Sequence, residues 1–501
     1  MKGLIWAALL FFTLSVAHTK QVVVCYYGTW ATHRAGQGRF TVDHLDPHLC
    51  THLVYAFAGI NTQGQVVSMD PKLDLAENDG ADNYGLFNEL KQKNPALKTL
   101  LAVGGWNEGS AKFSRMAASP TLRRNFINSA ILMMNKHGFN GLDISWLYPN
   151  QRQSPNNQAD VDNFSVLLKE LRVYFDERGL LLTVAVSGAQ EAASKSYDVA
   201  SLVQYVHLVN LMAHDLHGPW DPFTGHNAAL RKGDDVAESV PREILLTVDV
   251  AVEYWLSKGC PPEKLVLGVP FFGHTYRLRY ARINGVNAPA TGPGISGPFT
   301  HLTGAIAYFE ICNIIRTQHW TVKRDTLAAV PYAFSAENWV SYDDTASIRA
   351  KVEFARSHRL AGVMTWSVES DDFNNVCGEG KFPLLNMIND VLNEESEIVD
   401  NNRTTEATTD NNATTESTID DNNGTTESTI DDNNGTTEST IDDNNGTTVS
   451  TSDDSTIEFT IDNNGTTAST INDSNFTTET NNGITGSTID DDDFTTEPST
   501  N

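Results

Sequence analysis

The chain reads as an α/β protein: a (β/α)8 barrel interrupted by an inserted subdomain and followed by a disordered repeat tail. Three observations lead there. Eight short apolar segments of strand type recur, separated by longer helical patterns. The gap between the seventh and eighth segments is about 90 residues, too long for one helix and its loops. After Glu394 the composition changes abruptly to Thr, Asn and Asp.

The segments run in order. Val22 to Tyr27 is the first, His52 to Ala58 the second and Thr99 to Val103 the third. The fourth lies in Gly138 to Pro149, reading GFNGLDISWLYP, bounded by Gly and Pro as in a buried strand that ends at an exposed mouth. Leu181 to Val186, His207 to Met212, Leu265 to Val269 and Gly362 to Thr365 complete the set. Ala159 to Phe175 carries Val161, Phe164, Leu167, Leu168, Leu171 and Phe175 at helical spacing. The inserted subdomain falls near residues 273–345, and the barrel closes near Met387 to Leu392.

The net charge of -28 belongs mainly to the tail. From Asp400 onward there are 23 Asp and Glu against one Arg, which leaves -6 for everything before it. No basic run is present, so nucleic acid is not an expected partner. Residues 1–17 hold one Lys, a short apolar run and small residues near Ala17, the pattern of a cleaved secretory signal; the alternative is a membrane anchor, for which the run is short. No later stretch reaches the roughly 18 apolar residues of a span. The expectation is a secreted, extracellular, monomeric protein without a membrane span.

Five cysteines are present: Cys25, Cys50, Cys260, Cys312 and Cys377. A secreted setting permits disulfides, and an odd count leaves at least one thiol over. Spacing alone leaves the connectivity open. No Cys/His cluster has zinc spacing, so neither metal nor cofactor is expected.

In the tail, residues 395–501, the unit TTESTIDDNNG recurs at Thr414, Thr425 and Thr436 with a period of 11. Such a repeat buries too little apolar surface to offset chain entropy. The alternative, a calcium-binding solenoid, needs glycine-rich spacing that is absent. N-x-S/T acceptors stand at Asn402, Asn412, Asn423, Asn434, Asn445, Asn464, Asn472 and Asn475, and at Asn163 in the barrel. With the dense Thr they predict a glycosylated, hydrated appendage.

GFNGLDISWLYP resembles the signature strand of glycoside hydrolase family 18, the chitinases and their relatives, which carries F-D-G-x-D-x-D-W-E-Y-P. Further segments resemble that family in order: CYYGTW at Cys25, LAVGGWNEGS at Leu101, NLMAHDLHGPW at Asn210, GVPFFGHTY at Gly268 and GVMTWSVESDDF at Gly362. Together they cover roughly residues 20 to 392. The resemblance implies a (β/α)8 barrel with an α+β insertion before the last strand. It also implies pairing of Cys25 with Cys50 and of Cys312 with Cys377, leaving Cys260 as the odd thiol.

In the family the substrate's own N-acetyl group is the nucleophile. The last acid of the ladder protonates the leaving oxygen, the acid two residues earlier supports the acetamide, and a tyrosine on the sixth strand hydrogen-bonds it. Here the ladder reads Asn140, Asp143, Ser145, Leu147, and the tyrosine position is His214. Leu147 has no proton to donate, and positioned general acid catalysis is worth roughly two to four orders of magnitude. The resemblance implies sugar contacts from Trp366 as floor of the central subsite, from Trp30 and Trp106 along the cleft, and from Asp215. Trp220, Tyr27 and Phe57 lie near similar strand edges, where tryptophan and its like present flat apolar faces to sugar rings. The expected function is a non-catalytic protein that binds chitin or N-acetylglucosamine oligosaccharides. The alternatives are a growth-factor-like or immune-modulating protein acting through its outer surface, and a weak residual chitinase using His214 or Asp215.

Overall fold

The computed structural model describes residues 21–406, apart from 153, 234–236 and 238, and the backbone of three segments within 447–471; side chains are described to residue 394. The expected leader lies outside the described residues.

Eight strands form the barrel: β1 (Val22–Gly28), β2 (His52–Ile60), β3 (Lys98–Gly104), β4 (Gly141–Ser145), β5 (Leu181–Ser187), β6 (Leu208–Met212), β7 (Leu265–Pro270) and β8 (Gly362–Trp366). Each pairs in parallel with the next, and β1 pairs with both β2 and β8, which closes the sheet. The strand segments read from the sequence all recur, with no bounded end moved by more than two residues, and β4 occupies the middle of Gly138 to Pro149. The reason is the pattern itself: Val, Ile and Leu buried on both faces favour a parallel sheet covered by helices.

Side-chain alternation sorts the core into two layers. Val24 and Tyr26 of β1, Val54 and Ala56 of β2, Leu100 and Ala102 of β3, and Met364 of β8 pack together inside the barrel. Their neighbours Val23, Cys25 and Tyr27 join the larger annulus beneath the helices. Ala159–Asp176 is helical as its apolar spacing predicts, and buries Phe164, Leu167, Leu168 and Leu171.

The insertion is an α+β unit. Its six strands, Phe272–Leu278, Ala290–Pro293, Ala305–Ala307, Thr321–Asp325, Val330–Ser335 and Asn338–Ser341, form one antiparallel sheet beside the helix Tyr308–Gln318. Two disulfides are present, Cys25–Cys50 and Cys312–Cys377, and Cys260 is a buried free thiol. The last helix, Pro383–Glu406, runs past Glu394, where the composition changes.

Most of the repeat tail lies outside the described residues. Within it, Ser455–Ile461 pairs antiparallel with Thr447–Ser452 on one side and Thr467–Ile471 on the other. The β-branched Thr, Val and Ile of these segments favour extended backbone. Among the described residues no helix is long and apolar enough to cross a membrane.

Candidate functional site

The site is built where the strands end. Helix Pro120–His137 stops at Gly138, whose φ of 85° only glycine adopts freely, and the chain turns directly into β4. Along β4, Leu142, Ile144 and Trp146 point outward into the core, with the Trp146 ring stacked on Phe113 at 5.3 Å. Asp143 and Ser145 therefore face the barrel interior. Gly104 lets β3 approach this strand end: a Cβ there would stand 2.3 Å from the Ser145 carbonyl.

Asp143 is fully buried and saturated with donors. Thr183 Oγ1 donates to its Oδ1 at 2.6 Å, Asn210 Nδ2 to the same oxygen at 3.2 Å, and Ser145 Oγ to Oδ2 at 2.9 Å. Burial pushes the carboxyl upward, against the pull of these hydrogen bonds. Tyr26 shares the cluster, receiving Asn210 Nδ2 at 3.0 Å, and burial followed by the charge of Asp143 raises its hydroxyl well above the ordinary range. Ser145 spends its proton on Asp143.

Asn140 belongs to the opposite end of the strand, where its Oδ1 accepts from the Thr99 backbone N–H at 3.0 Å. Leu147 is buried, and its carbonyl accepts from Arg152 Nη1 at 2.9 Å. The same Nη1 donates to the Trp106 carbonyl at 2.9 Å, and the guanidinium lies 3.6 Å from the centroid of the Trp106 ring. Next to Leu147, burial and the charge of Asp215 push the Tyr148 hydroxyl up to about 12.

Beyond β6, His214 and Asp215 form a chain with His274 of the insertion. His214 Nδ1 is 3.2 Å from Asp215 Oδ2, and His274 Nε2 is 2.7 Å from Asp215 Oδ1. His274 Nδ1 meets the Gly304 carbonyl at 3.0 Å. A carboxylate only accepts, so His214 Nδ1 carries its hydrogen and Nε2 in the neutral ring is a bare acceptor, buried without a partner. Surrounding walls push the Asp215 carboxyl up, but hydrogen bonds from His214 and then His274 outweigh them and hold it well below the usual range. Asp215 adopts φ 56°, a left-handed conformation that Asp tolerates, and its N–H is fixed by Asn227 Oδ1 at 2.9 Å.

The aromatic side chains line the mouth. A bulge in β2 between Ala56 and Ala58 re-aims Phe57, whose ring packs on Trp366 at 5.8 Å and on Trp30 at 6.2 Å. Trp30 and Trp366 are 6.1 Å apart, and Tyr26 supports Trp366 from below at 5.5 Å. Glu369, fully buried, accepts from the Gly28 N–H at 3.0 Å and from Ser367 Oγ at 2.6 Å, which ties the loop carrying Trp30 to the end of β8. Trp106 and Trp220 are each 61% exposed, and Trp220 packs edge-on against His274 at 5.1 Å.

One expected sugar contact is corrected. Tyr27 is buried outside the barrel against Phe40, Tyr55 and Phe87, with its hydroxyl 3.1 Å from Thr32 Oγ1. A strand alternates faces, so of the adjacent pair Tyr26 and Tyr27 only Tyr26 points inward. Asn163 sits half-buried in its helix, and the acceptors of the tail lie outside the residues with described side chains. Sequence reasoning overlooked Tyr26, Arg152, Asn210, His274 and Glu369. Alternation along β1 marks Tyr26, and the quoted motifs contain Asn210, His274 and Glu369. Nothing local marks Arg152, which reaches Trp106 through a loop.

A closed (β/α)8 barrel, an α+β insertion before the last strand and an aromatic cleft over a buried Asp–Tyr–Asn cluster define a barrel of the chitinase type. Residues 22–371 match Glycosyl hydrolases family 18, and the chain belongs to that family. It is 42% identical over 367 residues to a Drosophila melanogaster protein named probable chitinase 2, covering 71% of this chain and 73% of that one. A solved group IV chitinase of Ostrinia furnacalis is 53% identical with a TM-score of 0.73, covering 75% of this chain and all of that one. Human YKL-39, described as a pseudo-chitinase with retained chitooligosaccharide binding properties, is 38% identical with a TM-score of 0.68, covering 75% of this chain and all of that one.

Proposed function

We propose that this protein is a secreted, non-catalytic member of its family that binds chito-oligosaccharides in the aromatic cleft. The observation that carries the reading is Leu147, an aliphatic side chain at the ladder position that must supply a proton. Neighbouring groups do not take over the task in this reading. Ser145 donates to Asp143, His214 presents a bare Nε2, Asp215 is held ionised and Tyr148 is pushed up to about 12. A general acid works best with a pKa near the operating pH, which neither Asp215 nor Tyr148 provides, and Ser145 and His214 direct their hydrogens at Asp143 and Asp215.

Binding is supported by the surfaces that remain. Trp366, Trp30 and Phe57 form a wall of packed rings, and Trp106 and Trp220 each offer an exposed ring face. The pseudo-chitinase YKL-39 provides a precedent for sugar binding on this frame. Secretion is supported by the apolar run within residues 1–17 and by the two disulfides.

Tryptophan fluorescence of the intact protein, titrated with chitohexaose, tests the reading, with the same samples analysed for shortened sugars. Saturable quenching with intact hexamer is expected. Release of shorter oligosaccharides sinks the non-catalytic half, and absence of quenching sinks the binding half.

A further inference from the structure

The connection that follows β6 runs between the barrel and the insertion, and one of its side chains bonds to both. Asn227 is fully buried. Its Oδ1 accepts the backbone N–H of Asp215, on the loop leaving β6, at 2.9 Å. Its Nδ2 donates to the carbonyl of Phe272, at the start of the insertion's first strand, at 3.1 Å. The backbone of the same residue repeats the bridge. The Asn227 carbonyl accepts from the Leu216 N–H at 3.0 Å, and the Asn227 N–H donates to Ser341 Oγ at 2.8 Å. Ser341 is the register partner of His274 in the insertion sheet. Asn227 therefore holds the backbone on both sides of the 2.7 Å contact between Asp215 and His274.

The residue type fits this task. A short planar amide offers an acceptor and a donor on separate atoms of one rigid group, whereas a carboxylate only accepts and a hydroxyl has both functions on one atom. Its partners fix the orientation, because a backbone N–H on one side and a carbonyl on the other admit only one placement of O and N. Asp215 needs the restraint. It stands at φ 56°, where a residue other than glycine persists only when its surroundings hold it. Its carboxylate accepts one hydrogen bond at each oxygen, from His214 and from His274, which leaves lone pairs free. The side chain stays 48% exposed, so a ligand hydroxyl or amide N–H can reach those lone pairs.

We propose that Asn227 is a positioning residue of the sugar cleft. Being fully buried, it acts through Asp215 alone. It sets Asp215 of the barrel against His274 of the insertion, and so fixes the acceptor that Asp215 offers to a sugar. Loss of the amide frees Asp215 to leave its left-handed conformation and takes the carboxylate away from His274. The assignment rests on the sugar-binding reading and adds to it a residue that the sugar itself does not touch.

Calorimetry with chitohexaose on the intact protein tests it through a double-mutant cycle. Asn227→Ala is expected to weaken the sugar about 10-fold in the parent, and less than about 2-fold when Asp215→Ala is already present. Asn227→Ser, a smaller disturbance, should give the same pattern and keeps the cycle readable if Asn227→Ala does not fold. A loss of equal size in both backgrounds overturns the proposal, since a purely structural role does not depend on Asp215. Parent-like affinity in the Asn227 variants overturns it too. A second readout needs no ligand. The imidazole N–H that His274 directs at Asp215 should give a downfield proton resonance in the parent, absent from His274→Gln and from the Asn227 variants. Its unchanged persistence in those variants overturns the proposal. If the parent does not bind chitohexaose, the sugar-binding reading falls, and this resonance decides the role of Asn227 by itself.

Discussion

The Arg152 guanidinium covers one face of the Trp106 indole at 3.6 Å, while its Nη1 joins the carbonyls of Trp106 and Leu147. One side chain thereby couples the end of β3 to the end of β4. It sets the direction of a tryptophan that is otherwise 61% exposed. A planar cation is required for this, because Lys cannot stack and bridge two carbonyls at once. Arg152→Ala should weaken chitohexaose about 5- to 10-fold by freeing Trp106, and Arg152→Lys should not restore it. Isothermal titration of the three proteins reads the difference, and full affinity in the Lys variant would remove the planar-cation argument.

Trp366 contacts Tyr26, Trp30 and Phe57. Trp366→Ala should reduce chitohexaose affinity by roughly two orders of magnitude, as for an aromatic anchor at the centre of an interface. Quenching should fall with it. Unchanged affinity in that variant would move the search for function to the outer surface.

Leu147→Glu alone should not restore full turnover. Ser145 and His214 would still present the wrong groups to an acetamide, and residues that act as a unit are grossly non-additive. Combining Leu147→Glu with Ser145→Asp and His214→Tyr should exceed the single variant by at least about 10-fold in release of sugar from a fluorogenic chitobioside. Near-normal family activity in the single variant would show that Ser145 and His214 matter little.

Burial pushes Asp371 up to about 7, although backbone N–H groups of Leu385, Asp372 and Leu384 favour its charged form. The folded value lies above the unfolded one of about 3.9. Its contribution to stability is therefore fullest below about pH 4 and is lost as pH rises to about 7. The melting temperature of the parent minus that of Asp371→Asn should fall by roughly 2–5 °C between pH 5 and pH 8. A difference that stays flat across that window would refute the assignment.

Cys260 is buried, and desolvation pushes its thiol up to about 12. Thiolate is the reactive form, so the native protein should not react with a disulfide reagent at pH 8. In guanidinium one thiol per chain should appear, because the other four cysteines are paired. Reaction of the native protein would place Cys260 at an accessible surface.

Much of this molecule is legible in the order of its residues. Eight buried-type segments and their spacing specify the barrel, since a parallel sheet covered by helices demands apolar residues on both faces. The long gap announces the insertion, and the motif GFNGLDISWLYP announces the degenerate ladder, because alternation alone tells which of its residues share a face. Tertiary structure decided what neighbouring strands bring together. It brought Asn210 to Tyr26 and Asp143, joined Asp215 of one loop to His274 of the insertion, and laid Arg152 across Trp106. These contacts span tens to hundreds of residues, so no local pattern encodes them; they exist only once the barrel has closed and its loops have met.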